Sequence, residues 1–469
     1  MAKLSIVNIL EECVISPQLA SSISSPPPPT SLPLTFLDIP WLFFPPSQPL
    51  FFYEFPFANS HFTSKLLPSL KRSLSLALQR FRPLAGTLIL PPWPRKPEIT
   101  CGEADYVSFT VAKSDGDFQL LSSHSCQRDA REFHKLVPKL PLLSREARDK
   151  LSLLAIQVTM FPHFGFSIGL AFHHVVADGR TFNKFMRVWS SLCSDMIGGD
   201  HNYDLDQCWS CYDRTAIMDS HGLEGIFLKE WWERRSSLPM VGTKEVSTKE
   251  DFGEMVRATF VMGLDDMERV KIWIVSTQCN KKSEPQSLHL SPYVLTCAFL
   301  WVCLVRSQVK GNEDTIYFGF IAGGLTRVGY PVPTTYFGNC IGFGRAAAAR
   351  GELMGEDGVL VAARAIGGTV KRLDKAMFRG AEKWVSEWQS LIGSDVHTMV
   401  SGSPKLDLYG RDFGWGKPKK IEEIEIDSTK AISLFESRDV KGGMEIGLVL
   451  PKAQMDAFTI IFKQGLQDL

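Results

Sequence analysis

Residues 171–180 read AFHHVVADGR, which sets an imidazole, His174, four residues ahead of a carboxylate, Asp178. Upstream, 164–172 reads FGFSIGLAF, an apolar run of strand length. Downstream, Phe182, Phe185, Met186, Trp189 and Leu192 recur at spacings of three and four, one face of a helix over 181–196. The two histidines therefore sit on a strand-to-helix turn, with Gly179 where a tight backbone is wanted. A His at the end of a buried strand reaches a crevice while being held rigidly, and is a natural general base. Strand alternation sends only one of the two into the crevice; we assign that place to His174 and a structural one to His173. Asp178 has two readings: it orients His174 directly, or it turns away to an Arg and shapes the loop. A metal centre needs three or four ligands, and no third ligand lies at a suitable spacing, so no metal is expected.

Two more stretches follow, Tyr336-Phe337-Gly338-Asn339-Cys340 and Asp412-Phe413-Gly414-Trp415-Gly416. With H-H-x-x-x-D-G ahead of them, this order and spacing resemble the plant BAHD acyltransferases, which move an acyl group from a coenzyme A thioester to an alcohol or amine. The resemblance runs from residue 35 to about 465. DFGWG is a specific signal, and YFGNC points to the clade that acylates flavonoid, anthocyanin and phenolic glucosides. The resemblance implies a chloramphenicol-acetyltransferase-like fold, with His174 in a channel between two domains, the acyl-CoA entering from one face and the acceptor from the other. It favours the loop-shaping role for Asp178 and a structural one for Asp412, Gly414, Gly416 and Asn339. It places Trp41 beside the acceptor channel.

Transfer from a thioester to a hydroxyl needs a base and donors for the oxyanion. The indole N–H of Trp415 is one such donor, if the ring is not merely an aromatic plug. Ser401, Ser403 and Lys405, in the polar run SGSPK, are expected to hold the phosphates of coenzyme A, with Arg257 as a weaker candidate. Arg180, two residues past Asp178, suits a bidentate grip on a carboxylate, which malonyl-CoA offers and acetyl- or coumaroyl-CoA does not. The expected reaction is malonyl transfer from malonyl-CoA, a co-substrate, to a sugar hydroxyl of a flavonoid, anthocyanin or phenolic glucoside. Alternatives are an aromatic (hydroxycinnamoyl) or acetyl-CoA acyltransferase of the same family, a carrier-dependent condensation domain, against which DFGWG argues, and a non-catalytic ligand-binding member. One departure stands out: where the family carries an Asp and an Arg ahead of Y-F-G-N, this chain has Ala322-Gly323-Gly324-Leu325-Thr326-Arg327, which puts the partner of Asp412 in doubt.

These residues need positioning elements. Residues 62–81 carry Leu66, Leu67, Leu70, Leu74, Leu78 and Phe81 on one face of a helix. Residues 151–160 and 164–172 read as a hairpin that delivers the chain to His174. A short polar helix is expected over 129–135. The proline-rich stretch 15–32, with Pro26–Pro29, reads as an extended loop. In the second half, strands are expected at 256–262, 315–322, 422–426, 431–435 and 444–450. Helices are expected at 265–277, 291–307 (Ser291 as cap, Pro292 in the first turn), 357–373, 378–390 and from 451. The result is a mixed α/β (α+β) class with two similar layered domains, 1–198 and 256–469, joined by a polar crossover at 199–255.

The chain has 469 residues, 44% hydrophobic and 22% charged, with 51 basic and 51 acidic side chains. That fits a globular protein of two domains of about 200 residues each. Zero formal charge and no basic block argue against nucleic acid. No apolar run reaches about 18 residues, so no membrane span is expected. The N-terminus lacks a signal's apolar core. Ten scattered cysteines fit reduced thiols, and the lone Cys208-x-x-Cys211 is a poor metal or redox motif. A cytoplasmic monomer is the expectation.

Overall fold

The structure, a computed structural model, describes residues 4–18, 30–55, 59–141, 143, 149–198, 209–235, 254–280, 288–308, 314–391 and 394–469. The proline run Pro26–Pro29, Cys208 and much of the expected crossover lie outside the described residues. Apart from a small four-stranded sheet of Ser31–Pro33, Glu98–Thr100, Thr87–Ile89 and Lys150–Ser152, the described strands of the first half are β1 (Val7–Ile15), β2 (Pro49–Glu54), β3 (Val107–Ser114), β4 (Arg128–Asp129), β5 (Leu154–Phe161) and β6 (Gly165–Phe172). Those of the second are β7 (Met255–Met262), β8 (Thr315–Gly323), β9 (Ile341–Ala349), β10 (His397–Ser401), β11 (Lys420–Glu423), β12 (Ala431–Glu436) and β13 (Met444–Pro451).

They form two large mixed sheets, in the order β1-β3-β5-β6-β2-β11 and β9-β8-β10-β12-β13-β7-β4. Each sheet is completed by a strand from the other half. β11 lies antiparallel to β2, with Lys420 opposite Phe52, and β4 lies against β7, with Arg128 opposite Arg257. The expected hairpin is β5–β6, turning at Pro162 with His163 in left-handed backbone. Both strands are buried along their full length, which explains their nearly continuous apolar sequence.

Helices α1 (Leu67–Arg80) and α2 (Gly179–Met196) lie against each other beside the first sheet, and the Trp189 indole donates to the Leu70 carbonyl at 3.2 Å. In the second half, α3 (Pro292–Ser307) is buried on nearly every face, between α4 (Gly358–Lys375) and α5 (Lys452–Gln467). Ser291 caps it, accepting from the Val294 N–H, and Pro292 opens its first turn, as expected. Each fully buried Leu or Val here contributes about 1.5–3 kcal/mol before entropy.

Several elements differ from expectation: the strand expected at 422–426 runs Lys420–Glu423, and the helix expected at 378–390 spans Trp384–Leu391 after a 3₁₀ turn at Ala381–Lys383. Residues 129–135 form two single 3₁₀ turns, because Asp129 caps the Arg131 N–H while Arg128 is drawn into the second sheet. β9 was not expected: its sequence, IGFGRAAAA, has low strand propensity. Its small residues make room for neighbours; a Cβ on Gly344 would fall 2.7 Å from the Phe320 ring. β10 was also missed, being five residues bounded by loops. Among the described residues, no helix is long and apolar enough to cross a membrane.

Candidate active site

β6 carries the chain out of the first sheet, and the bond from the His173 N–H to the Leu153 carbonyl (2.9 Å) holds the turn down. His173 is buried, and its Nδ1 accepts from the Val175 N–H at 3.4 Å. His174 is half-buried and lines a cavity of about 370 Å³ formed by both halves of the chain. Trp41 lies flat on its ring, with centroids 3.6 Å apart and planes 16° from parallel. Burial lowers the His174 pKa to about 4, more than Asp178 and Asp38 raise it, so the imidazole is neutral at neutral pH. Burial and the adjacent His174 likewise keep His173 neutral, at about 4. The Nδ1 of His174 is buried with no hydrogen-bond partner among the described residues, and the residue lines the cavity.

Asp178 resolves toward the second of its two readings. One oxygen accepts from the Thr181 N–H at 2.8 Å, capping α2, and the other from the Cys340 N–H at 3.1 Å, with Arg180 at 3.6 Å. The carboxylate thus joins the His174 turn to the YFGNC loop. Asn339, fully buried, completes that junction: its side-chain amide donates to the carbonyls of His174 (2.9 Å) and Val175 (3.3 Å). Arg180 also lines the cavity, but its two terminal nitrogens already donate to the Thr334 (2.7 Å) and Tyr336 (2.9 Å) carbonyls. The pre-formed carboxylate clamp expected there is therefore partly occupied.

Ser401, Ser403 and Lys405 all line the same cavity, at and beyond the end of β10. Ser401 donates to Glu425 at 3.2 Å, the Lys405 N–H donates to the Ser403 hydroxyl at 3.3 Å, and the Lys405 side chain is exposed. Gly402 between them has φ 81°.

Two expected site residues lie elsewhere. Arg257, 1% exposed, is held by Glu422 at 2.8 Å and Asp427 at 2.6 Å inside the protein, so it is a buried structural cation and not a ligand for coenzyme A. Trp415 is absent from the cavity wall; it stacks on Phe413 and meets Tyr53 and Phe166 edge-on. Its indole N–H is buried without a hydrogen-bond partner among the described residues, and the ring packs as an aromatic plug away from the cavity wall. Asp412 accepts from the N–H groups of Gly414 (2.7 Å) and Gly416 (2.9 Å), both at φ above 100°. At Gly414 a side chain would also strike Ile197 at 2.5 Å. This loop therefore braces the second half of the chain against α2 and β2. Arg327 does not reach Asp412; it pairs with Asp374 at 2.7 Å and the Gly323 carbonyl at 2.8 Å.

Other site residues escaped the sequence reading. Phe44, Cys340 and Glu425 line the cavity, and Asp38 lies buried behind Asn339. Arg214 reaches the YFGNC loop, donating to the Tyr336 hydroxyl (2.8 Å) and the Phe337 carbonyl (2.9 Å). Nothing local marks Phe44, Glu425 or Asp38 as site residues, and the contacts that join this network span up to 301 positions. Among the described residues, no group of three or more His, Cys, Asp or Glu side chains is placed to hold a metal ion.

The family model described as the Transferase family matches residues 7–464. The chain belongs to this family. Among its relatives is a malonyl-coenzyme:anthocyanin 5-O-glucoside-6'''-O-malonyltransferase of Salvia splendens, 36% identical over 98% of this chain and 95% of that one. Phenolic glucoside malonyltransferase 2 of Arabidopsis thaliana is also 36% identical, over 93% and 94%. So is a coumaroyl-CoA:anthocyanidin 3-O-glucoside-6''-O-coumaroyltransferase of Arabidopsis thaliana, over 99% of each chain. Among solved structures, vinorine synthase superposes with a TM-score of 0.65 at 17% identity, covering 96% of each chain. F. graminearum TRI101 with ethyl coenzyme A superposes at 0.62 and 14%, over 91% of this chain and 96% of that one. The fold is the two-domain, chloramphenicol-acetyltransferase-like one of Transferase-family enzymes.

Proposed function

We propose that this protein is an acyl-CoA-dependent O-acyltransferase that moves a malonyl group to a sugar hydroxyl of a flavonoid, anthocyanin or phenolic glucoside. One observation carries the reading: a neutral imidazole, held flat under Trp41, faces the same cavity as Ser401, Ser403 and Lys405. His174 takes the proton from the acceptor hydroxyl as its oxygen attacks the thioester carbonyl. The tetrahedral centre collapses by breaking the C–S bond, and the proton passes to the departing thiolate. No covalent intermediate on the protein is needed, because a thiolate leaves readily. Ser401, Ser403 and Lys405 hold the phosphates of coenzyme A, and Trp41 closes the acceptor side over the base.

The donor rests on Arg180. Its terminal nitrogens keep hydrogens beyond the two that reach backbone carbonyls, and its charge borders the cavity. Arg180→Ala is expected to lower kcat/KM for malonyl-CoA by about 10–100-fold, the loss of one charge-assisted contact, with little change for coumaroyl-CoA. An unchanged ratio of the two removes the malonyl assignment. A hydroxycinnamoyl donor is the second reading, favoured by the carbonyls that already occupy Arg180 and by the coumaroyltransferase relative.

The base also predicts a pH profile. Burial sets the His174 pKa at about 4, so activity should hold as pH falls through 6.5 and decline only on approach to 4. An acid limb of kcat/KM at 6.5 or above in a folded enzyme counts against a buried neutral base.

A further inference from the structure

Asp38 is fully buried and lies 136 residues before His174 in the chain, yet its carboxylate reaches both structures that confine the imidazole. One oxygen accepts from the Thr35 N–H (2.8 Å) and hydroxyl (2.7 Å). That closes the turn leading into the 3₁₀ segment Ile39–Phe43, where the Trp41 N–H donates to the Asp38 carbonyl at 3.1 Å. Trp41 is the ring stacked on His174. The other oxygen accepts from the backbone N–H (3.1 Å) and side-chain amide (2.9 Å) of Asn339. That amide also donates to the His174 carbonyl. Arg214 supplies a counter-charge at 3.8 Å. One buried carboxylate thus fixes the plate over the imidazole face and the anchor of its backbone.

We propose that Asp38 is a positioning residue for the transfer reaction: through Trp41 and Asn339 it sets the aim of the His174 ring and keeps water from its buried face. This rests on His174 being the base. A displacement of about 1 Å at a reacting group is enough for a loss near 10²-fold. The phosphate-side residues lie on the far end of β10, outside this network, so ground-state binding of the donor is untouched.

The test is Asp38→Asn, of nearly identical shape, with His174→Ala alongside. Expected for Asp38→Asn are a kcat reduced about 100-fold, a KM for malonyl-CoA within twofold of wild type, and an acid limb displaced from near 4 toward 6.5. The direction of that displacement discriminates. The charged and titratable groups about the ring are Asp178, Asp38 and His173, with Arg180, Lys405, Glu425 and Cys340 on the same cavity wall and Arg214 beside Asp38; removing the Asp38 charge by itself moves the limb down, and leaving Arg214 uncompensated acts in the same direction, so an upward shift reports water at the ring. A kcat loss with an unmoved limb means only fewer folded molecules, and overturns the proposal; so does wild-type kcat. If Asp38→Asn gives no cooperative melt, Thr35→Val, which deletes one donor to the same carboxylate, carries the test. It should show a several-fold kcat loss at unchanged KM with the limb shifted upward, and wild-type behaviour there overturns the proposal. If His174→Ala turns over normally, the base assignment itself falls; if it is inactive while the Asp38 network variants behave as wild type, only the positioning role falls.

Discussion

Replacing His174 with alanine is expected to lower kcat about 10²–10⁴-fold, with the KM for malonyl-CoA changed by no more than about twofold. An alcohol is a poor nucleophile at neutral pH unless its proton leaves as it attacks. Among the cavity-lining residues, His174 carries the neutral imidazole to which the proposed mechanism gives that proton. Asp178 cannot replace it, since both its oxygens hold backbone N–H groups. Cys340 cannot either: burial pushes its thiol up to about 12. Donor binding depends on other side chains, so the loss should appear in kcat. The fold should survive, because the turn is held through the His174 backbone by Asn339 and not through the ring. Steady-state kinetics with malonyl-CoA and a phenolic glucoside, beside a thermal melt, decide the matter. Full turnover in a folded His174→Ala enzyme removes the mechanism.

The second large effect concerns stability. Arg257→Ala should cost about 3–5 kcal/mol, the range for removing one partner of a buried ion pair. Glu422 holds Arg128 at 2.5 Å and Arg257 at 2.8 Å, with Lys420 at 3.8 Å, and Arg257 also holds Asp427. Glu422 is on β11, in the first sheet; Arg257 and Arg128 are on β7 and β4, in the second. The cluster therefore rivets the two sheets where they exchange strands, and losing the Arg257 guanidinium takes one of three cations from Glu422 and the arginine partner from Asp427, both out of water. Although burial raises it, the three cations bring the Glu422 pKa down to about 2. A folded pKa below the ordinary 4.5 means that this stabilisation is present above 4.5 and is lost as pH falls toward 2. Denaturant titration should show a lowered midpoint for Arg257→Ala. It should also show a wild-type stability that falls between pH 4.5 and 2, and falls less in Glu422→Gln. A wild-type midpoint combined with a raised KM for acyl-CoA would return Arg257 to the binding site.

Glycines of the DFGWG loop, the β5–β6 hairpin and the amphipathic faces of α1 and α2 were all legible because each is a local pattern. Period-2 and period-3.6 spacing, caps, and the need for positive φ act over a few residues. His174 was legible for the same reason: a strand, a turn and a helix in succession point one ring outward. Its neighbours were not. Arg257 reads as a weaker candidate for the coenzyme A phosphates, and only the placing of β7, between β13 and β4 where the two sheets exchange strands, shows that its partners are Glu422 and Asp427. Trp415 reads as a donor near the chemistry, and only the loop's packing on Tyr53 and Phe166 turns it away.

The sequence by itself determined the class of fold, the place of His174 on a strand-to-helix turn, and the run of small polar residues at 401–405. Tertiary structure alone decided which polar side chains are satisfied inside the protein and which are left for a ligand. That division depends on hydrogen bonds between segments hundreds of residues apart, such as Asp38 with Asn339. Chain closure sets such contacts, and no local spacing encodes them.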